Sequence, residues 1–250
     1  MKIKLSAVII TFNEEKNIER CILSLQNVAD EIVVVDSFST DKTKEICLKH
    51  KVKFLEHAFE GHIQQKNWAI TQAEHKHVLS LDADEAISSE LEESIQKVKD
   101  NWIGEGYSVN RMTNYCGKWI KHGHWYPDVK LRLWDSTKGK WGGKNPHDTY
   151  LLKSGKKGEH LQGDLLHYSY YTVEEHWVQA EKFSEIAAKA YHEAGKKSNW
   201  LKIIFSPISR FISGYLWNRG FLDGKYGWII ARITFWETKQ KYKRLKNYTS

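Results

Sequence analysis

The chain has 250 residues, of which 41% are hydrophobic and 28% are charged. This composition excludes a disordered chain, and the length suits one large domain or one domain with an appendage. The formal net charge of +7 favours a polyanionic partner, which nucleic acid, anionic lipid and a phosphorylated substrate would all satisfy.

Three scattered cysteines, Cys21, Cys47 and Cys116, are too few for a disulfide framework or a zinc site, and they fit a reducing compartment. Residues 1–5 lead directly into a predicted strand without a signal-peptide pattern. No run of about 18 apolar residues exists, so no membrane-spanning helix is expected.

The first hundred residues alternate between predicted strands and helices. Strands are predicted at 5–12, 31–35, 53–55 and 78–81, where apolar and β-branched residues run together. Helices are predicted between them and after the last, with Asn13 expected to cap the first. This alternation predicts an α/β fold, with a mainly parallel sheet flanked by helices.

The pattern changes after Trp102. Strands are predicted at 106–110, 130–134, 149–152 and 165–169. From Thr172, which forms a predicted capping box with Glu175, the chain becomes helical and amphipathic, and Pro207 is expected to kink its second helix. We therefore expect a catalytic domain at 1–170 and a C-terminal amphipathic helical region at 171–250.

Carboxylates follow the apolar run at 78–81. Strand alternation would place Asp82 and Asp84 on the same side, where they could hold a divalent metal; an acidic turn that begins a helix is the alternative. Two other predicted strands end at Thr11 and at Asp36. Because open α/β sheets bind ligands at the carboxyl edge of their strands, all three ends indicate one site.

The stretches 8–14, 32–37 and 81–85 together resemble the family 2 glycosyltransferases of the GT-A fold. The second half is similar to a narrower group, the bacterial β-1,4-glucosyltransferases that build the inner core of lipopolysaccharide. That likeness rests on 130–133, 141–148, 167–170 and 220–224. The resemblance implies a GT-A nucleotide-binding domain with a C-terminal helical appendage.

The resemblance also implies an activity: inverting, metal-dependent transfer of a single sugar, glucose from UDP-glucose, to a lipopolysaccharide core or another lipid-linked saccharide. The Gln-x-x-Arg-Trp motif of processive synthases is absent from the sequence, which favours one sugar per cycle. A carboxylate that takes the acceptor proton would add about 10²–10⁴-fold in rate.

Roles for single residues follow from the same resemblance. Around the uracil, ribose and diphosphate of the donor it would place Thr11, Glu14, Asp36, Lys66, Asn67, Asp82 and Asp84. Asp84 would also bind Mn²⁺ or Mg²⁺, with His167 as a further metal ligand. Asp148 stands where the family has its catalytic base, although the pair here is His147–Asp148 and not Glu-Asp.

Several of these residues have a second interpretation. Asp36 could cap the next helix, His167 could be a core histidine, and Asp148 could be a turn residue. Lys130 and Arg132 could contact acceptor or donor phosphate, but their alternation with leucines favours the solvated face of an ordinary strand.

The C-terminal helices and their basic tail either pack on the core or lie in the membrane interface, with lysine and arginine at anionic headgroups. The second interpretation places the protein peripherally on the cytoplasmic face of the inner membrane. A lipid-linked acceptor would make such attachment useful.

Other functions remain open on the sequence. The same chemistry could act on a polyprenyl phosphate or a protein. A sugar-phosphate nucleotidyltransferase is disfavoured because no Gly-rich phosphate loop follows the first strand. A non-enzymatic basic module would bind membranes or nucleic acid. We expect no nucleic-acid partner, because the three acidic strand ends would repel phosphate groups unless a metal is bound.

Overall fold

The computed structural model describes residues 2–144 and 147–249. The chain forms two compact units. The first comprises Met1–Arg111 and Asp128–Tyr168, and the second comprises Met112–Pro127 and Ser169–Ser250. The expected division near residue 170 placed 112–127 in the catalytic domain, because nothing in the residue pattern of that loop marks it as part of the helical region.

A parallel sheet of four strands forms one side of the first unit. Its strands are β1 (Leu5–Thr11), β2 (Glu31–Asp36), β3 (Lys53–Glu56) and β4 (His77–Asp82), in the order β3-β2-β1-β4. Thr11 lies opposite Asp36, and Ile10 lies opposite Asp82. The register therefore brings these three strand ends to one edge, as predicted.

Helices and short strands connect and extend these four strands. They are α1 (Ile18–Leu25), α2 (Thr43–Lys49), α3 (His62–Thr71), β5 (Glu85–Ile87) and α4 (Ser89–Asp100). The strand faces alternate: Leu5, Ala7 and Ile9 pack with α1 and α4, whereas Val8 packs in a second cluster that includes Ala69 of α3. Apolar burial on both faces fixes the sheet between helices and confirms the predicted α/β class.

The sheet continues in antiparallel order beyond β4. Its further strands are β6 (Gly106–Tyr115), β7 (Lys118–Trp119), β8 (Val129–Asp135) and β11 (Glu159–Tyr170), and the order is β4-β8-β6-β11-β5 with β7 beside β6. A separate hairpin joins β9 (Gly139–Lys144) to β10 (His147–Leu152). The pairing of β11 with β5 sets His167 opposite Glu85.

The second unit contains the long helices. They are α5 (Val173–Glu193), α6 (Trp200–Ile212) and α7 (Gly224–Thr249), with a π-helical turn at Ser213–Trp217 and a 3₁₀ turn at Gly220–Asp223. The predicted capping box of Thr172 and Glu175 is present. Pro207 lies inside α6. Among the helices that the structure describes, none is long and apolar enough to cross a membrane.

Asn13 does not cap α1, so that prediction is wrong. It adopts a left-handed conformation with φ of 54°, and its side-chain oxygen accepts a hydrogen bond from the Thr40 backbone at 2.8 Å. The helix begins later, at Ile18. Asparagine tolerates the left-handed region, so Asn13 instead ties the loop after β1 to the loop after β2.

Candidate active site

Thr11 and Asp36 occupy the ends of β1 and β2 and are buried. The Asp36 carboxylate accepts hydrogen bonds from the backbone N–H of Ser39 at 2.7 Å and from its hydroxyl. Among the described residues, the buried Thr11 hydroxyl has no hydrogen-bond partner. An unpaired buried hydroxyl is rare, and here it lies at the edge where a ligand is expected.

Glu14 is half-buried beside these strand ends. Its carboxylate accepts a hydrogen bond from the Asn17 side chain at 2.8 Å. Burial raises the pKa of Glu14, the Asn17 hydrogen bond opposes that shift, and the nearby charge of Asp84 adds to it. The loop that carries Glu14 is held by a hydrogen bond from its backbone N–H to the Thr43 hydroxyl at 2.9 Å.

Asp82, at the end of β4, contacts two buried cations. Lys66 Nζ lies 2.9 Å from one carboxylate oxygen, and an Arg132 guanidinium nitrogen lies 3.2 Å from the other. Burial opposes ionisation of Asp82, but the charges of Lys66 and Arg132 outweigh burial and hold the pKa of its carboxyl well below the ordinary value. Asp82 is therefore a carboxylate already neutralised by protein cations.

Arg132 lies in the interior, with only 3% of its surface exposed, so the solvated-face interpretation is wrong for this residue. Its guanidinium lies 2.7 Å from Glu85, which also accepts the backbone N–H of Asp82 at 3.0 Å. A buried carboxylate needs a buried cation, and this requirement overrides the simple alternation of the strand. Lys130 is partly exposed and pairs with Asp128 at 2.9 Å.

Replacing Arg132 by Met should destabilise the protein strongly. Of the cations that pair with Glu85 among the described residues, Arg111 alone would remain, with its guanidinium 3.6 Å away. Breaking a buried ion pair from one side costs about 3–5 kcal/mol. Chemical denaturation measures the loss, and Lys130→Met, which breaks the exposed pair on the same strand, is the matched control with an expected change under about 1 kcal/mol. Equal losses in the two variants would contradict the buried network.

Lys66 joins Asp82 to Asp148. Its ammonium lies 2.8 Å from one oxygen of Asp148 and 4.5 Å from the ring centre of Trp141, and only 4% of the residue surface is exposed. Within the described residues, the other oxygen of Asp148 accepts no hydrogen bond. Asp148 is thus held at one oxygen by a cation and keeps a second oxygen for another donor.

Asn67 does not point to a ligand in this structure. Its amide donates to the Trp141 carbonyl and accepts from the Trp141 backbone N–H, both at 3.0 Å. These two bonds fasten α3 to β9, and they satisfy the side chain at both ends. The structure therefore gives Asn67 a positioning role, and its contact with the donor stays a prediction. Residues 145–146 of the stretch that follows Trp141 lie outside the described residues.

Asp84 and His167 form a second pair at the same edge. Nε2 of His167 lies 3.0 Å from a carboxylate oxygen of Asp84, and the Tyr168 backbone N–H donates to the Asp84 carbonyl at 2.9 Å. One carboxylate and one imidazole suit Mn²⁺, whereas Mg²⁺ prefers oxygen ligands alone. The described residues contain no group of three or more metal-ligating side chains. The pair fits an ion that takes its remaining ligands from a bound molecule or water.

Sequence reasoning did not predict that Glu85 and Arg111 belong to the buried network of ion pairs around Asp82 and Arg132. Three carboxylates at one strand end exceed what a single ion requires, and that excess was the available signal. It implies buried cations nearby, but it does not say which of the chain's many lysines and arginines supply them.

Comparison with known proteins identifies similar chains. The family described as glycosyl transferase family 2 matches residues 6–154. The lipopolysaccharide core biosynthesis glycosyltransferase LpsC of Rhizobium meliloti (strain 1021) is 29% identical over 260 residues, covering 96% of this chain and 94% of that protein.

Two solved structures give weaker likenesses. Residues 1–349 of S. aureus TarS in complex with UDP show 18% identity and a TM-score of 0.46, covering 98% of this chain and 90% of that one. The glucosyl-3-phosphoglycerate synthase of Mycobacterium tuberculosis, in complex with Mn²⁺, UDP and glucosyl-3-phosphoglycerate, shows 21% identity and a TM-score of 0.37. That match covers 45% of this chain and 44% of the synthase, so this chain spans less than half of it.

Proposed function

We propose, from the premise that this chain belongs to the family 2 glycosyl transferases, that it moves a single sugar from a UDP-sugar to a lipid-linked saccharide with inversion at the anomeric carbon. The observation that carries the proposal is the pairing of Asp84 with His167, 3.0 Å apart at the carboxyl edge of the sheet. These are the two residues that the resemblance assigned to a divalent ion.

The donor nucleotide would lie over the ends of β1 and β2. The unpaired hydroxyl of Thr11 and the carboxylate of Asp36 supply a hydrogen-bond donor and acceptors, as the N–H and oxygens of uracil and the hydroxyls of ribose require. Glu14 borders the same edge, where its half-buried carboxyl adds a further polar group. Asp82, which Lys66 and Arg132 hold, would face the ribose.

Asp84 and His167 would hold a divalent ion beside the donor diphosphate, Mn²⁺ in preference to Mg²⁺ because one ligand is an imidazole. When bound, a divalent ion there stabilises the negative charge that builds on the departing UDP. The buried ammonium of Lys66 is a second positive charge at this edge, fixed by Asp82 and Asp148 before any ligand arrives. A preorganised charge of this kind stabilises a developing anion without further reorganisation.

Asp148 would act as the catalytic base. A base must be ionised and must keep a free lone pair for the incoming hydroxyl, and the contact with Lys66 at a single oxygen leaves the other oxygen of Asp148 for the acceptor. Direct in-line attack of that hydroxyl on the sugar, with no covalent intermediate, would invert the anomeric centre. Asp148 would take the proton, and UDP would leave.

The acceptor class is supported by the second unit and by the relative from Rhizobium meliloti, whose name places it in lipopolysaccharide core biosynthesis. On α6 and just before it, apolar side chains are exposed while basic residues flank them. The exposed apolar set is Trp200, Leu201, Ile204, Phe205 and Ile208. Lys196, Lys197 and Lys202 are exposed nearby. This combination suits peripheral attachment to an anionic membrane, on the cytoplasmic face.

Membrane attachment through α6 predicts that Ile204→Ser/Ile208→Ser weakens binding to vesicles of phosphatidylcholine and phosphatidylglycerol by at least about tenfold, because two exposed side chains lose their transfer into lipid. Cosedimentation measures the binding. The matched control, Val129→Ser/Leu151→Ser, removes two exposed apolar side chains of the first unit and should bind like the wild type. Attachment through α6 is refuted if the two double variants bind equally well.

The transfer itself is tested with a panel of UDP-sugars and a lipopolysaccharide truncated to its inner core, followed by mass spectrometry of the product. The proposal expects a mass gain of one hexose with UDP-glucose, and NMR of the new linkage should show the anomeric configuration opposite to that of the donor. Retention of configuration would overturn it, and so would a protein that transfers no sugar but converts UDP-glucose and added pyrophosphate to UTP and glucose 1-phosphate. A gain on polyprenyl phosphate instead would replace the acceptor and keep the chemistry.

A further inference from the structure

Helix α6 exposes both apolar and polar side chains. Ile204 and Ile208 are exposed, and Ser209 and Arg210, which are exposed as well, line an open cavity of the second unit together with residues of α7. In an ordinary surface helix the apolar stripe faces the protein interior. Here part of the apolar stripe is exposed instead, and the cavity beside it is lined mainly by polar side chains of α6 and α7, which suit a hydrophilic ligand.

That cavity has a volume of about 750 Å³. Its charged lining residues are Arg210, Glu237 and Lys241, and hydroxyl side chains such as Ser209 and Thr238 lie between them. Trp125 adds an aromatic ring. Ligand pockets commonly measure about 300–1,000 Å³, and hydroxyls, charges and an aromatic platform are what a charged sugar needs for recognition.

The cations of the cavity are available to an anion. In the part of the chain that the structure describes, Arg210 and Lys241 have no carboxylate within 4 Å; Lys241 instead lies over the rings of Tyr191 and Tyr242, at 4.7 and 4.6 Å from their centres. Burial raises the pKa of Glu237, and the charges of Lys241 and Arg210 oppose that shift. The lining therefore carries two cations against a single carboxyl, a balance that favours an anionic ligand.

The lining of the cavity selects among anionic ligands. Phe205, one of the exposed apolar side chains of α6, lines it together with Arg210 and Lys241, so the cavity borders the side of α6 that would meet the bilayer. Its hydroxyl side chains and the ring of Trp125 suit a saccharide better than a compact phospholipid headgroup.

We propose that this cavity binds the anionic saccharide of a membrane glycolipid, and that Arg210 and Lys241 contact its acidic groups. The inference rests on the proposed glycosyltransferase function, because such a saccharide is the acceptor that the function requires. It adds the residues that recognise the acceptor, and it assigns them to the second unit.

The test compares Arg210→Ala/Lys241→Ala with Arg232→Ala/Lys239→Ala, which removes the same charge from exposed positions of α7 that do not line the cavity. Both variants and the wild type are titrated with phosphatidylcholine vesicles that carry either inner-core lipopolysaccharide or phosphatidylglycerol at equal charge. Losing two charge-assisted contacts should weaken binding to the lipopolysaccharide vesicles by at least about tenfold relative to the control, with no such difference on phosphatidylglycerol.

Equal binding of both variants to the lipopolysaccharide vesicles would overturn the inference. It would also be overturned if the cavity variant lost the same amount of binding on both vesicle types, because that result indicates attraction to headgroup charge alone. Lys241→Met alone, which keeps an unbranched apolar stem, should show part of the same selective loss and guards against misfolding of the double variant. Calorimetric binding of UDP separates the two proposals. If the wild-type protein binds no UDP, the proposed function fails. If the cavity variant binds both UDP and the glycolipid as tightly as the wild type does, only the inference about the cavity fails.

Discussion

Replacing Asp148 by Asn is expected to leave donor binding nearly intact and to lower kcat by at least about 10²-fold. The amide has almost the same shape, and its oxygen can still accept the hydrogen bond from Lys66, which now lies 2.8 Å from the carboxylate. It cannot take a proton from the acceptor. Steady-state kinetics and UDP calorimetry on the same preparation measure the two effects separately.

The matched control is Asp30→Asn. Asp30 also contacts a buried lysine, Lys99, at 2.6 Å, but it lies next to the start of β2, at the opposite edge of the sheet. This variant should lose stability and keep the kcat of its folded fraction. If Asp148→Asn lost donor binding and turnover in equal measure, the Asp148 carboxylate would have a structural role as the partner of Lys66 and would not be the catalytic base.

Replacing Asp84 by Ala is expected to abolish transfer and to weaken metal-dependent UDP binding. The variant keeps His167 but removes the carboxylate that lies 3.0 Å from its Nε2. In Mn²⁺, calorimetry should show weaker UDP binding by the variant than by the wild type. In EDTA the two proteins should bind UDP with equal affinity, because the substitution removes only the contribution of the metal. This convergence is not expected from a general structural defect.

Asp41→Ala is the control for that measurement. Asp41 lies in the loop after β2 and accepts hydrogen bonds from the backbone N–H groups of Glu15 and Thr43, at 2.9 and 3.0 Å, so it is a carboxylate near the same edge that is not a predicted metal ligand. It should preserve the dependence of UDP binding on Mn²⁺. Full activity of Asp84→Ala would remove this residue from the site.

The sequence predicted the parallel half of the sheet well because its signals are local. An apolar run such as 78–81 that ends in carboxylates marks both a buried strand and the place where it stops, and the register then brings Thr11, Asp36 and Asp82 together. The family resemblance on these stretches is confirmed by the match over residues 6–154, and the chain is therefore a glycosyltransferase.

The contacts that complete the site are not local, and no residue pattern predicts them. His167 reaches Asp84 because β11, far along the chain, pairs with β5; only the family resemblance suggested that role. The alternation of Arg132 with leucines predicts a solvated side chain, because charged residues in such a pattern usually face water. Its burial depends on Glu85 and Asp82, and these partners come from two other strands, β5 and β4.

The helical unit shows a related limit. The amphipathic pattern of α6 separates apolar from polar residues, but a pattern cannot say which of them the rest of the unit covers. In the structure Ile204 and Ile208 are exposed, and so is Arg210, which lines the cavity. Glu237 and Lys241 of α7 complete that lining, and no local pattern links them to α6.

The most direct test of the central claim is calorimetric binding of UDP to the wild-type protein, first with Mn²⁺ and then with EDTA. A site built from Thr11, Asp36, Asp84 and His167 predicts binding in Mn²⁺ that becomes markedly weaker when the metal is removed. Equal binding under both conditions would contradict the metal role of Asp84 and His167. Binding of neither UDP nor GDP, CDP or dTDP would contradict the nucleotide-sugar site as a whole.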